Sequence, residues 1–339
     1  MSTAVDTRLK ARYKAEIARR IDELAALVHR ENGKPHADAV LEITLVLDHL
    51  NWAAGHAGKV LGPKRVPTGL MGANSAATVE YQPLGVVGVI GPWNYPVFTP
   101  MGSIAYALAA GNAVVFKPSE FTPAIGAWMV DTWAATVPEA RDAFLLVTGM
   151  GETGAALCRS GVDKIAFTGS VEVGKIIMRS AASTLKRVSL ELGGKSPNII
   201  FADCDWEKMM RTTLQSSFSN QGQICLCGSR ILVEESIYEK FKTEFIARTK
   251  KLTVGDPLDE KNRQGAVVSK LHFDKVLGCI ELAKEEGGTI LTGGNAIKLT
   301  GRCTNGLFIE PTIIEGLGPN CRTNMEEIFG PVVTIQPFK

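Results

Sequence analysis

The stretch LGVVGVIGPWNYPVFTPMGSIAYALAAGNAVVF, residues 84–116, decides the fold. It carries no charged side chain and is long enough to cross a bilayer as a helix. Pro92, Pro96 and Pro100 each remove a helix donor, Asn94 and Asn112 add polar amides, and glycines recur throughout, so a single membrane helix would be broken several times over. The apolar residues come instead in short pieces: Val86 to Ile90, a helical Met101 to Ala110, and Ala113 to Phe116. A helical Ala124 to Thr136 and an apolar Phe144 to Val147 continue the series. Short runs that are apolar on both faces and alternate with helices are what a parallel sheet with crossover helices requires.

The same alternation extends downstream. Strands are expected at Lys164 to Phe167 and Val188 to Leu190 with a helix from Val171 to about Leu185 between them, and after Gly193-Gly194 the pattern restarts. There it predicts strands at Asn198 to Phe201 and Arg230 to Val233, and helices at Trp206 to Ser219, Ile237 to Thr249 and Leu271 to Glu286. Upstream, Ile17, Ile21, Leu24, Ala25 and Val28, then Val40, Ile43, Leu47 and Leu50, recur at helical spacing, which predicts two amphipathic helices broken at Gly33 and Pro35. Gly62 to Gln82 is rich in Gly, Pro and Thr and predicts a hairpin or arm. The expected organisation is a cofactor domain over 1–62 and 82–193, an arm over 63–81 and a second α/β domain over 194–339.

Composition narrows the function classes. With 37 Lys and Arg against 35 Asp and Glu in 339 residues, the net charge of +2 lacks the dense basic surface that nucleic acid requires. Seven cysteines are sparse and odd in number, unlike a disulfide framework, and the start of the chain has no continuous apolar core of a secretory signal. A cytoplasmic protein with neither a membrane nor a nucleic-acid partner is expected.

Phe218-Ser-Asn-Gln-Gly-Gln-Ile-Cys-Leu-Cys227 runs from a helix end into a glycine turn that presents Cys225. A thiolate there, aided by backbone N–H groups, suits attack on an electrophilic carbon; a cysteine is as readily a small buried apolar residue. Cys225 and Cys227 have no second ligand pair, so no metal site is expected. Glu191 ends an apolar run before Gly193-Gly194, where α/β proteins place ligands, though a paired structural acid reads the same way. Two loops compete for phosphate: the literal GxGxxG of Gly149 to Gly154, and Phe167 to Gly174, in which Ser170 can cap a helix facing a pyrophosphate. Lys117 and Glu120 leave a strand end together, suited to ribose or phosphate, or simply to water.

Taken in order, GPWNYP (91–96), KPSE (117–120), FTGSVEVG (167–174), LELGGKSP (190–197), NQGQIC (220–225) and EEIFGPV (326–332) resemble the aldehyde dehydrogenase superfamily over essentially the whole chain. The second half is most similar to the branch acting on muconic semialdehydes. The resemblance implies a Rossmann-type parallel-sheet cofactor domain, a second α/β catalytic domain and a small β arm for oligomerisation. It implies an NAD-dependent oxidoreductase that converts an aldehyde or semialdehyde to the acid through a cysteine thiohemiacetal and thioester. Cys225 would be the nucleophile, Asn94 with the Cys225 N–H would hold the oxyanion, and Glu191 would activate the hydrolytic water. Lys117 and Glu120 would hold the adenosine ribose, Ser170 the pyrophosphate, Glu327 and Phe329 the nicotinamide ribose and ring, with Trp93 in the same loop. Gly151 would line the adenine end, which removes the literal glycine motif from the pyrophosphate. A carboxylate at Glu120 favours NAD while leaving NADP possible.

Family chains are longer at both ends, so the resemblance also implies a chain lacking its opening strands and the end of its catalytic domain. Two alternatives follow: an acylating enzyme using coenzyme A, which Glu191 disfavours, and a catalytically incomplete segment that binds nucleotide or self-associates without turnover. A homo-oligomer, dimer or tetramer, is expected if the arm functions.

Overall fold

A computed structural model describes residues 7–339, with side chains from residue 11 onward. Residues 1–6, which open the expected first domain and the stretch searched for a signal, lie outside the described residues. The helical periodicity of the first sixty residues becomes three helices: α1 (Thr7–Arg19), α2 (Ile21–Asn32) and α3 (His36–Leu61). Gly33, in the left-handed region at φ 83°, ends α2 and donates its N–H to the His29 carbonyl at 2.9 Å; Pro35 precedes α3. The predicted arm is a two-stranded antiparallel hairpin, β1 (Lys64–Val66) with β2 (Ala77–Val79), whose tip exposes Leu70 and Met71.

Residues 84–116 then fold as strand, helix and strand: β3 (Val86–Ile90), α4 (Phe98–Ala109) and β4 (Ala113–Lys117). Next come α5 (Pro123–Thr136), β5 (Phe144–Leu146), α6 (Gly151–Arg159), β6 (Lys164–Gly169), α7 (Val171–Ala182) and β7 (Arg187–Leu192). The sheet order is β5-β4-β3-β6-β7, with β5, β4, β3 and β6 parallel to their neighbours. This is the doubly wound order, and it reverses between β3 and β6. Val87, Val89, Val114, Phe116, Phe144 and Ile165 are buried on these strands. Tyr13 closes this core from α1, meeting Trp133 edge to face at 5.4 Å and donating its hydroxyl to the Met129 carbonyl at 2.9 Å. At about 25 cal/mol per Å² of apolar area, such large buried rings carry much of the unit's stability.

The chain divides into two units, residues up to Leu24 with Leu41–Glu191, and Ala25–Val40 with Leu192–Lys339. Residues 25–40 therefore group with the second unit, where the sequence pattern had joined them to the first. The Gly33 carbonyl accepts the Ala266 N–H at 3.1 Å and His36 donates to the Pro257 carbonyl at 3.1 Å.

The second unit holds β8 (Pro197–Ile200), α8 (Trp206–Phe218), β9 (Arg230–Glu234), α9 (Tyr238–Thr249), α10 (Lys270–Glu285), β10 (Thr289–Thr292), a short pair β11 (Ala296–Ile297) and β12 (Phe308–Ile309), β13 (Thr312–Glu315), α11 (Arg322–Met325) and β14 (Val332–Phe338). Its sheet runs β10-β13-β14-β9-β8, parallel except for β10. The sequence pattern offered no strand after Val233, yet β14, the last element, lies at the centre with Val332 to Ile335 buried.

Candidate active site

In the first unit a cavity of about 450 Å³ opens beyond the carboxyl ends of β3, β4 and β6, at the reversal of strand order. Trp93, Lys117, Glu120, Gly151 and Ser170, proposed from separate motifs, all line it. Lys117 is buried: its ammonium donates to the Pro118 carbonyl at 3.0 Å and lies 3.9 Å from the Glu120 carboxylate. Burial lowers its pKa and Glu120 opposes that shift. Glu120 itself is exposed to the cavity's solvent. Ser170 caps α7, accepting the Val173 N–H at 3.3 Å, so the positive end of that helix is fixed at the cavity rim. Gly151 opens α6 with free space where a β-carbon would stand, and Ala155 and Cys158 of α6 face Val173, Ile176 and Ile177 of α7 across an apolar slot.

Asn94 is buried in the loop between β3 and α4. The loop's exit is fixed from α3: the Glu42 carboxylate, fully buried, accepts the N–H groups of Val97 and Phe98 at 2.8 and 3.0 Å. Val97, the capping residue of α4, offers no side-chain cap of its own, so Glu42 supplies one from a distance. Glu191 is exposed one residue before the end of β7, which sets aside a buried structural acid.

In the second unit three motifs converge. A β-carbon at Gly193 would displace the Glu327 carboxylate from its place, and Gly194 donates its N–H to Glu327 Oε1 at 3.0 Å. Gly222, at φ 67°, must be glycine because a β-carbon would overlap the Gly330 carbonyl. The turn before Cys225 is left-handed at three successive residues, Asn220 (φ 51°), Gln221 (φ 56°) and Gly222. For side-chain-bearing residues this costs about 1–2 kcal/mol each, and such strain gathers at functional sites. It is held by Gln223, which donates its N–H to the Asn220 carbonyl at 3.0 Å, and by Gln264, whose amide donates to the Phe218 carbonyl at 2.7 Å.

Cys225 emerges half-buried on the next turn. Cys227, two residues on, is buried, its thiol pointed at the Ser217 carbonyl at 3.5 Å and pushed up to about 12 by burial. The two cysteines of the CxC therefore differ: one is accessible, the other held as a thiol. Phe329 also has a left-handed backbone, at φ 62°.

The sequence model of the aldehyde dehydrogenase family matches residues 3–339. The chain belongs to the aldehyde dehydrogenase family. It is 41% identical to a 4-trimethylaminobutyraldehyde dehydrogenase of Oryzias latipes, over 97% of this chain and 65% of that protein. It is 43% identical to a 2-aminomuconic 6-semialdehyde dehydrogenase of Pseudomonas sp over 80% of this chain and 55% of that protein. Its fold superposes on a betaine aldehyde dehydrogenase of Staphylococcus aureus in complex with NAD+ with a TM-score of 0.91 and 35% identity, covering 98% of this chain and 65% of that one. The chain thus spans about 65% of the length of the curated relative matched first.

Three residues of this aldehyde dehydrogenase chain have no role in the sequence reading, although Lys195 stands within LELGGKSP. Glu42 had a signal: a carboxylate four residues before the buried Val46 on a helix that reads as amphipathic. Lys195 follows the glycine pair with its Nζ buried and no hydrogen-bond partner, and burial brings its pKa down to about 8. His272 stands three residues after Ser269, a capping spacing that marks the start of α10 but says nothing of what the imidazole touches.

Proposed function

We propose that the chain carries the NAD-dependent oxidation of an aldehyde to the carboxylic acid, with Cys225 as nucleophile. The observation that carries this reading is Cys225 itself, accessible at the end of a strained, packed turn while Cys227 beside it is buried and held as a thiol. The cavity at the strand reversal fits a dinucleotide: a buried ammonium, a capped helix terminus and an apolar slot between two helices stand together there. Lys117 and Glu120 would hold the adenosine ribose, Ser170 and the α7 terminus the pyrophosphate, Trp93 and Gly151 the walls, and Glu327 with Phe329 the nicotinamide ribose and ring. When bound, NAD supplies a hydride acceptor.

Cys225 adds to the aldehyde carbon as thiolate, and the Asn94 amide and the Cys225 N–H hold the oxygen that becomes negative. Loss of hydride leaves an acyl group on the Cys225 sulfur as a thioester. Glu191, exposed at a strand end, takes the proton from water that attacks this acyl carbon, and the acid departs as the thiolate is restored. The Glu120 carboxylate repels a 2′-phosphate and so favours NAD over NADP. The relatives named for a trimethylamino aldehyde and for a muconic semialdehyde set the first substrates to try.

The test is NADH formation with aliphatic, aromatic and semialdehyde substrates. Cys225→Ala is expected to lower the rate by roughly 10³-fold or more, and iodoacetamide is expected to label Cys225 before Cys227. A purified, folded chain that forms no NADH, or forms it equally after Cys225→Ala, refutes the reading.

A further inference from the structure

The loop carrying Glu327 and Phe329 is gripped by one face of α10. His272 Nε2 lies 2.7 Å from the Phe329 carbonyl oxygen, and one turn later the Lys275 ammonium donates to the Glu327 carbonyl at 2.9 Å. The next residue, Val276, packs so closely on Gly330 that a β-carbon there would overlap its methyl groups. Positions 272, 275 and 276 share a helix face, so three consecutive contacts reach residues 327, 329 and 330. On the other side, Gly194 holds the Glu327 carboxylate. The helix is itself anchored at this end, because Ser269 accepts the His272 N–H at 3.2 Å.

A carbonyl only accepts, so the short contact requires a proton on Nε2. Burial keeps the imidazole neutral by lowering its pKa to about 4, and the Phe329 ring meets it edge to face at 6.0 Å. Phe329 holds a left-handed backbone at φ 62°, a conformation that persists only where its surroundings enforce it.

We propose that His272 is a positioning residue for the nicotinamide end of the cofactor site: its Nε2–H fixes the carbonyl of Phe329 and holds that residue in its left-handed conformation. With Lys275 it sets the loop on which Glu327 and Phe329 stand. The inference rests on the reading that those two residues meet the nicotinamide ribose and ring.

Calorimetric titration of the purified chain with NAD+ and, separately, with ADP tests it, since ADP lacks the nicotinamide and its ribose. His272→Leu is expected to weaken NAD+ binding about tenfold, the loss of one well-formed hydrogen bond, and to leave ADP binding within about twofold by the same scale. His272→Gln, which still offers an N–H, should restore most of the NAD+ affinity. If His272→Leu does not fold, His272→Asn, too short to reach the carbonyl, replaces it with the same expectation. Equal weakening of NAD+ and ADP, or no change in either, while Glu327→Gln still loses NAD+ selectively, overturns the positioning role and leaves the reading of the loop intact. If Glu327→Gln also loses nothing selectively, or the unmodified chain binds no NAD+, the reading of the loop fails and the positioning role with it.

Discussion

Replacing Glu42 tests how the first unit builds the Asn94 loop. The Glu42 carboxylate is the acceptor for two backbone N–H groups at the start of α4, those of Val97 and Phe98, and it is fully buried. Glu42→Ala leaves both donors without it. An unmade hydrogen bond at a buried amide costs about 1–3 kcal/mol, and a carboxylate at a helix N-terminus contributes up to about 2 kcal/mol, so the expected destabilisation is about 3–5 kcal/mol. Glu42→Gln keeps an acceptor oxygen and loses only the charge, for an expected about 1–2 kcal/mol. Urea unfolding followed by tryptophan fluorescence reads the difference, since Trp93, Trp128 and Trp133 all belong to this unit. The midpoint should fall in the order native, Gln, Ala with little change in slope. A loss below about 1 kcal/mol for Ala, or equal losses for the two variants, would show that the start of α4 is set by something other than Glu42.

Two further outcomes concern the second unit. Lys195 has a folded pKa of about 8 against an ordinary 10.5, so between those values the unfolded state binds more protons and stability rises with pH. Lys195→Met should therefore raise stability near neutral pH by about 2–3 kcal/mol, and a urea series across pH should find the gain gone above 10.5; a gain independent of pH refutes the buried-charge account. Gly222→Ala combines a left-handed backbone with overlap on the Gly330 carbonyl, so it should destabilise by more than about 3 kcal/mol and alter the alkylation rate of Cys225. Native-like unfolding and alkylation would mean that the loops do not meet as described.

The first sheet was legible because its strands are buried on both faces and its helices are short and apolar, so the period of the sequence changes at each boundary. Helix α4 starts at Phe98, three residues before the expected Met101, because Pro100 is tolerated in a first turn and Glu42 supplies the cap from α3. Nothing local to residues 98–101 carries that information. Strand β14 was missed for a related reason: Val332 to Phe338 follows a motif rich in turn residues, and its place between β9 and β13 is a long-range pairing.

The candidate site was legible as a list of residues and not as a set of contacts. Lys117, Glu120, Gly151 and Ser170 stand at strand ends or helix starts, positions that a strand-helix rhythm marks, and they line one cavity. Gly193 and Gly222 announce only that a side chain would be crowded there. What a β-carbon would meet is the movable Glu327 carboxylate in one case and the fixed Gly330 carbonyl in the other, both more than a hundred residues away. Each glycine is thus the complement of a distant motif, and the loop of Glu327 and Phe329 is complement to both while α10 holds it from the other side. A left-handed phenylalanine has no sequence signature at all, because its conformation is a property of the neighbours that enforce it. His272 therefore reads as an unremarkable histidine until the carbonyl it touches is known.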